Sequence, residues 1–352
     1  MHMADALISP VIGGTMWVAT AGVAAYSIKK IQDDLEEKKV PLMGVMGAFV
    51  FASQMINFSI PGTGSSGHLG GGLILAAMLG PYAGFLAMAS ILLIQALFFG
   101  DGGLLAYGCN VFNLGFYTCF ITYPLIFKWF VKKGLSAKRI MAGSMIAAIV
   151  GLQLGAFSVV LETFFSGKTE LPFSTFVLMM QPIHLAIGIV EGLVTAAVLT
   201  FVWKARPELI EKQVSGKISD NTSLKRIIYG LAITAVIIGG GLSWFASSNP
   251  DGLEWSMKKT AGITELAESG GIYGILSDIQ SKTAFLPDYS FKNDDSVSEE
   301  QASETSTEAT WPAVDAGTTV SGLVGGAMTL VLAVMIGFFI RYVKKRKKKV
   351  TA

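Results

Sequence analysis

Eight apolar stretches of membrane length constrain this chain more than any other feature. They lie near residues 8–28, 41–60, 69–99, 104–128, 139–163, 175–203, 227–247 and 319–341. A helix crosses a hydrocarbon core of about 30 Å with roughly 20 apolar residues, and within that core each backbone polar group must be satisfied inside the protein. Helices meet that demand, so an all-α polytopic membrane fold is expected. Composition agrees: 52% of residues are hydrophobic and 15% charged, against about 25% charged in soluble domains. The 40 glycines suit close helix–helix contact in lipid. Cys109 and Cys119 stand ten apart in one apolar run, about 15 Å of helical rise, so a disulfide between them is excluded. Packing is their expected role.

Loop charge sets the orientation, because Lys and Arg concentrate on the cytoplasmic side. Lys29, Lys30, Lys38 and Lys39 follow the first stretch, and Lys128, Lys132, Lys133, Lys138 and Arg139 follow the fourth. Lys204, Arg206, Lys212, Lys217, Lys225 and Arg226 follow the sixth, and Arg341–Lys349 is basic almost throughout. All four clusters fall inside only if residues 69–99 cross twice. As one helix that run would measure about 46 Å, and Gly80-Pro81 breaks it near the middle. Two short spans are therefore expected, near 69–80 and 82–99, with the Ser59–His68 loop dipping into the membrane. The result is a seven-span unit over 1–205, a cytoplasmic linker 206–224, and a two-span module over 225–352. The N-terminus lies outside and the C-terminus in the cytoplasm of a prokaryotic cell. Residues 248–318 form an external loop of net charge −9, whose Asn293–Glu308 run is expected to be disordered. The basic tail suits anionic lipid, not nucleic acid.

The chemistry concentrates at the start. Met1-His2-Met3-Ala4-Asp5 carries no basic leader region, so no cleaved signal is expected. A retained Met1 places its α-amine one residue from the His2 imidazole. Amine, His2 amide nitrogen and imidazole can close fused chelate rings on one ion, and a fourth nitrogen would complete a planar site suited to Ni(II) or Cu(II). His68, in the loop Gly62-Thr63-Gly64-Ser65-Ser66-Gly67-His68, lies on the same side and supplies that fourth nitrogen. The plain alternative is two ordinary histidines.

His184 and Glu191 share a helical face seven residues apart. A structural His–Glu contact is the favoured reading and a direct ligand the other. Asp101 can cap the fifth span, and Asn110 and Asn113 can cross-bond helices; all three, with His184 and Glu191, can also stand behind a metal-binding imidazole and orient it. Gly167-Lys168-Thr169 mimics the end of a phosphate-binding loop, but Glu162 stands where the earlier glycine is required.

Met1–Leu7, the Gly64–Gly72 loop, Leu79-Gly80-Pro81 and Gln95–Gly103 through Asn110 and Asn113 resemble the substrate-binding subunit of energy-coupling-factor cobalt/nickel transporters, the CbiM/NikM family. The resemblance covers about residues 1–205. It implies that Met1, His2 and His68 bind the metal, with the N-terminal segment inserted among the helices. It also implies a separate membrane coupling subunit and cytoplasmic ATPases as partners. Residues 225–345 resemble the small accessory subunit of the same systems through Pro250-Asp251-Gly252-Leu253-Glu254. The expected function is capture of Ni(II), or Co(II), at the outer face for ATP-driven uptake. The chain itself is not expected to be an enzyme. An intramembrane enzyme using His184 and Glu191, or a passive metal channel, are the alternatives.

Overall fold

The computed structural model of the chain describes residues 2–34, 39–168, 171–215, 224–264, 266, 270–292 and 312–350. Met1 and the Asn293–Glu308 run lie outside the described residues. Six of the described helices are long and apolar enough to cross a membrane: Pro10–Ile31, Pro81–Phe99, Tyr107–Val131, Ala137–Ser166, Phe173–Ala205 and Ala316–Lys344. The fold is all-α apart from one small hairpin.

Helix α1 (Pro10–Asp34) starts where Ser9 caps it: its hydroxyl accepts from the Ile12 amide, and Pro10 sits in the first turn. Helix α2 (Lys39–Gln54) is followed by strands β1 (Phe58–Ile60) and β2 (Ser65–Gly67), paired antiparallel with Ser59 opposite Ser66. Helix α3 (Gly72–Leu79) and helix α4 (Pro81–Ile94, continued by a π-helical turn to Phe99) divide the 69–99 run at the expected place. Gly80 takes φ +86°, a conformation open chiefly to glycine, and Pro81 opens the next helix. Helix α3 begins later than expected because the Gly70 and Gly71 amides are drawn off to Glu191.

Helices α5 (Tyr107–Val111) and α6 (Lys128–Val131) are joined without interruption by a π-helical run, Phe112–Phe127, that contains Pro124. Helices α7 (Ala137–Ser166) and α8 (Phe173–Ala205) form the largest helix–helix contact, and α9 (Pro207–Ser215) is short and amphipathic. In the last third, α10 (Lys225–Gly240) ends earlier than the expected 227–247. Gly240-Gly241 breaks the helix there, and a 3₁₀ turn, Leu242–Phe245, follows. Helix α10 crosses α13 (Ala316–Val350) so closely at Gly239 and Gly322 that a Cβ on Gly322 would lie within 2.6 Å of Gly239 Cα.

The segment expected as a plain external loop contains α11 (Gly252–Ala261) and α12 (Gly271–Thr283). Both pack against the first unit. The buried core is continuous across the two units and includes Met3, Leu7 and Ile8 of the N-terminal segment.

Candidate functional site

The N-terminal segment is lodged inside the helix bundle. Asn110 grips Met3 from both sides: its carbonyl accepts from the Met3 amide at 2.8 Å and its amide donates to the Met3 carbonyl at 3.1 Å. The Gly103 amide also donates to that carbonyl, and the Asp5 carboxylate accepts from the Ala106 amide. Gly103 has to be glycine, because a Cβ there would overlap the Asp5 side chain. These contacts fix the main chain just after His2, and Met3 is fully buried.

His2 is held by its ring. Its Nδ1 donates to Asp101 Oδ1 at 2.9 Å, and Asp101 Oδ2 accepts from the Tyr289 hydroxyl at 2.5 Å. Burial alone would raise the Asp101 pKa. The adjoining His2 charge and the hydrogen bonds from His2 and Tyr289 outweigh it, holding the carboxyl well below its usual range. The bond to Asp101 assigns the proton to Nδ1, so the lone pair belongs to Nε2, which is buried with no hydrogen-bond partner among the described residues. A buried nitrogen acceptor left unpaired is costly unless something binds it. The His2 ring lies parallel to that of His68, centroids 4.9 Å apart. His68 Nδ1 bonds the Leu69 carbonyl, and burial, with the like charge of His2 adding to it, lowers its pKa to about 3.

The Gly-rich loop that carries His68 is shaped by α8. Glu191 accepts from the Gly70 amide at 2.8 Å and the Gly71 amide at 3.0 Å. His184 donates from Nδ1 to the Met180 carbonyl, and its Nε2 has no partner among the described residues. The expected His184–Glu191 contact is absent: each residue is committed to backbone, Glu191 to the loop and His184 to its own helix. His184 instead faces a cavity of about 10 Å³ shared with His68, Asp251 and Gly252.

The accessory module covers this loop from above. The Ser66 amide donates to the Pro250 carbonyl, the Ser66 hydroxyl to the Asn249 carbonyl, and the Trp255 indole to the Thr63 carbonyl. Asp251 and Glu254 form a reciprocal capping box that starts α11. A Cβ on Gly252 would come within 3.1 Å of the His184 ring and 3.0 Å of Ile187. Further along, Gln280 donates to the Ala96 and Gly102 carbonyls, and Tyr273 to the Ile8 carbonyl.

His2 and His68 are thus brought together, while Met1 lies outside the described residues. Asp101 does not cap the fifth span, whose Ala106 cap has no side-chain bond; it orients the His2 imidazole instead. Asn110 positions Met3 backbone, and Asn113 bonds Glu162, so neither asparagine touches an imidazole. Tyr289 and Gln280 were not anticipated, since nothing local marks them. The Asp251-x-x-Glu254 spacing did carry a readable helix-start signal. Among the described residues no three His, Cys, Asp or Glu side chains group as a metal site.

Two family models match separate parts of the chain. Residues 2–209 match the family described as "cobalt uptake substrate-specific transmembrane region" (CbiM), and residues 225–342 match the PDGLE domain. A putative fused nickel transport protein of Archaeoglobus fulgidus is 30% identical over 94% of this chain and 96% of its own length. A putative metal transport protein of Haloquadratum walsbyi is 37% identical over 60% of this chain and 94% of its own. The crystal structure of a transition metal transporter is 31% identical over 59% of this chain and 95% of that one, with a TM-score of 0.52. The chain belongs to the CbiM/NikM family of metal-transport membrane proteins, with a PDGLE accessory module fused in line.

Proposed function

We propose that this protein captures Ni(II), with Co(II) as the other candidate, at the outer face of the membrane. It then passes the ion on during ATP-driven uptake. It acts as a transporter subunit and not as an enzyme. Met1 contributes its amine, His2 its amide nitrogen and the imidazole Nδ1 that closes a six-membered ring with it, and His68 an imidazole nitrogen. The observation that carries the reading is the buried His2 ring, fixed through Nδ1 by Asp101 and stacked on that of His68. The Met3 amide is taken by Asn110 and is not a competing donor. An amine–amide–imidazole chelate with one further imidazole favours a square-planar d8 ion, hence nickel.

The energy comes from partners: a membrane coupling subunit and cytoplasmic ABC-type ATPases. In the orientation that loop charge favours, the N-terminus and the 248–318 segment face outward and the basic tail inward, with seven spans in the first unit and two in the second. An intramembrane enzyme built on His184 and Glu191 is disfavoured, because the Glu191 carboxylate is spent on two backbone amides. A passive channel would not hold metal stoichiometrically. The test is the metal content of untagged protein purified without chelators. About one nickel or cobalt per chain supports capture, and none, after growth in supplied metal, contradicts it.

A further inference from the structure

We infer that Tyr289, a residue of the accessory module, is a positioning residue that sets the coordination geometry and metal preference of the site; this rests on the metal-capture reading above. Its hydroxyl donates to Asp101 Oδ2 while His2 Nδ1 donates to Oδ1, so both carboxylate oxygens are occupied. The hydroxyl is delivered by an unusual backbone. Tyr289 has φ +60° and Asp288 φ +49°, the only two non-glycine residues with positive φ among those described. For an aromatic residue that conformation is a genuine outlier, sustained only where the surroundings over-determine it. Here they do: the ring stacks on Phe99 at 5.0 Å and meets Phe51 edge-on at 6.4 Å. The Tyr289 amide also closes a turn onto the Leu286 carbonyl.

A carboxylate beside a divalent ion is itself a competent ligand, and oxygen donors shift a site away from planar nitrogen coordination. By holding Oδ2, Tyr289 keeps Asp101 out of the coordination sphere when the ion displaces the proton on His2 Nδ1. The accessory module therefore contributes to the selectivity of a site whose ligands all belong to the other unit.

Tyr289→Phe in the full-length chain tests this, since the ring contacts and the turn are kept. The expected result is unchanged thermal stability with a loss of nickel affinity of about tenfold or more, the usual scale for groups that orient a metal ligand. The Co(II)-to-Ni(II) affinity ratio should rise, and the nickel spectrum should move from a diamagnetic planar species toward a paramagnetic one of higher coordination. Asp101→Asn should weaken nickel binding without producing that higher-coordinate spectrum, and the double variant should resemble Asp101→Asn. A Tyr289→Phe protein with wild-type affinity, metal ratio and spectrum would overturn the inference. Wild-type protein that binds no nickel would instead overturn the reading beneath it.

A second site stands on separate observations. A groove of about 880 Å³ runs between α8 and α10 over α2, walled by Phe49, Val194, Phe201, Leu231 and Ile238. From Val190 to Arg206 it follows α8 for about 24 Å. At one end stand Arg206, at the C-terminal end of α8, and Arg226, from the accessory module. Neither guanidinium has a hydrogen bond or ion pair among the described residues. The groove's apolar walls suit hydrocarbon chains.

The geometry points to one anionic phospholipid, its acyl chains in the groove and its phosphate on the two arginines, bridging the two units. Basic pockets between membrane helices bind such headgroups. Native mass spectrometry of the full-length chain from mild detergent should find anionic phospholipid retained at about one per chain. Arg206→Gln/Arg226→Gln should lose it by about tenfold, and Arg206→Lys/Arg226→Lys should keep most of it. Phosphatidylglycerol micelles should raise the melting temperature of the delipidated wild type, and phosphatidylcholine should not. Equal effects of the two lipids, a rise with inorganic phosphate alone, full retention by the Gln variant, or capture of a coupling subunit by a photo-crosslinker at Phe201 would each overturn the assignment.

Discussion

Asp101 fixes the orientation of the His2 ring. Its carboxylate holds Nδ1 at 2.9 Å, and the ring lies parallel to that of His68. Asp101→Asn keeps the shape but removes the charge that favours the donor at Nδ1. Metal affinity should fall about 10- to 100-fold in isothermal titration, the range for outer partners of a ligating histidine. His68→Ala should weaken binding at least as far, whereas His184→Ala should act mainly on folded yield, because its Nδ1 is already bonded to Met180. The nearness of His2 and His68 was expected from the sequence, since an N-terminal amine one residue from an imidazole invites a further nitrogen from the same side. Asp101 and the asparagines were legible as candidates to orient an imidazole, but not the partner each would take. Their partners lie about a hundred positions away, and no local periodicity encodes such a pairing.

The Gly-rich loop shows the same limit one scale up. Its two short strands were not foreseen, because Ser-Ser-Gly has no alternating apolar pattern. The pairing is stabilised from outside, by Pro250 and Asn249 on one side and Glu191 on the other. The Gly80-Pro81 break, by contrast, was readable because both residues act through the backbone itself. Glu191→Gln exchanges an acceptor of two amide hydrogens for a side chain with one competing donor face. A destabilisation of about 2 kcal/mol is expected, measured as a lower melting temperature in detergent together with weaker metal binding. Gly252→Ala forces a methyl against His184 and Ile187. Overpacking of this kind costs about 1–3 kcal/mol. Crosslinking between engineered cysteines at Ser66 and Asn249 should drop accordingly.

At the scale of the whole molecule, the accessory module packs around the N-terminal segment and the His68 loop by way of Pro250–Trp255, Tyr273, Gln280 and Tyr289. A chain ending near residue 210 keeps every proposed ligand and should still bind nickel, but with the weaker, higher-coordinate signature expected of Tyr289→Phe. The Haloquadratum relative, matched over 94% of its length by 60% of this chain, shows that the first unit occurs without the second. The orientation is testable in intact cells lacking Cys109 and Cys119. An impermeant thiol reagent should label a cysteine placed at Ser248 and leave one at Ser136 unlabelled, and the reverse would invert the topology. The central claim is metal capture through the chain's own α-amine, and its position makes it separable from side-chain chemistry. Nickel binding to the untagged full-length protein should be compared with that of the same protein extended by one tag residue ahead of Met1, which turns the amine into an amide. Tight binding at about one ion per chain, abolished by the extension, is the predicted result. Equal affinity in the two proteins would contradict the account.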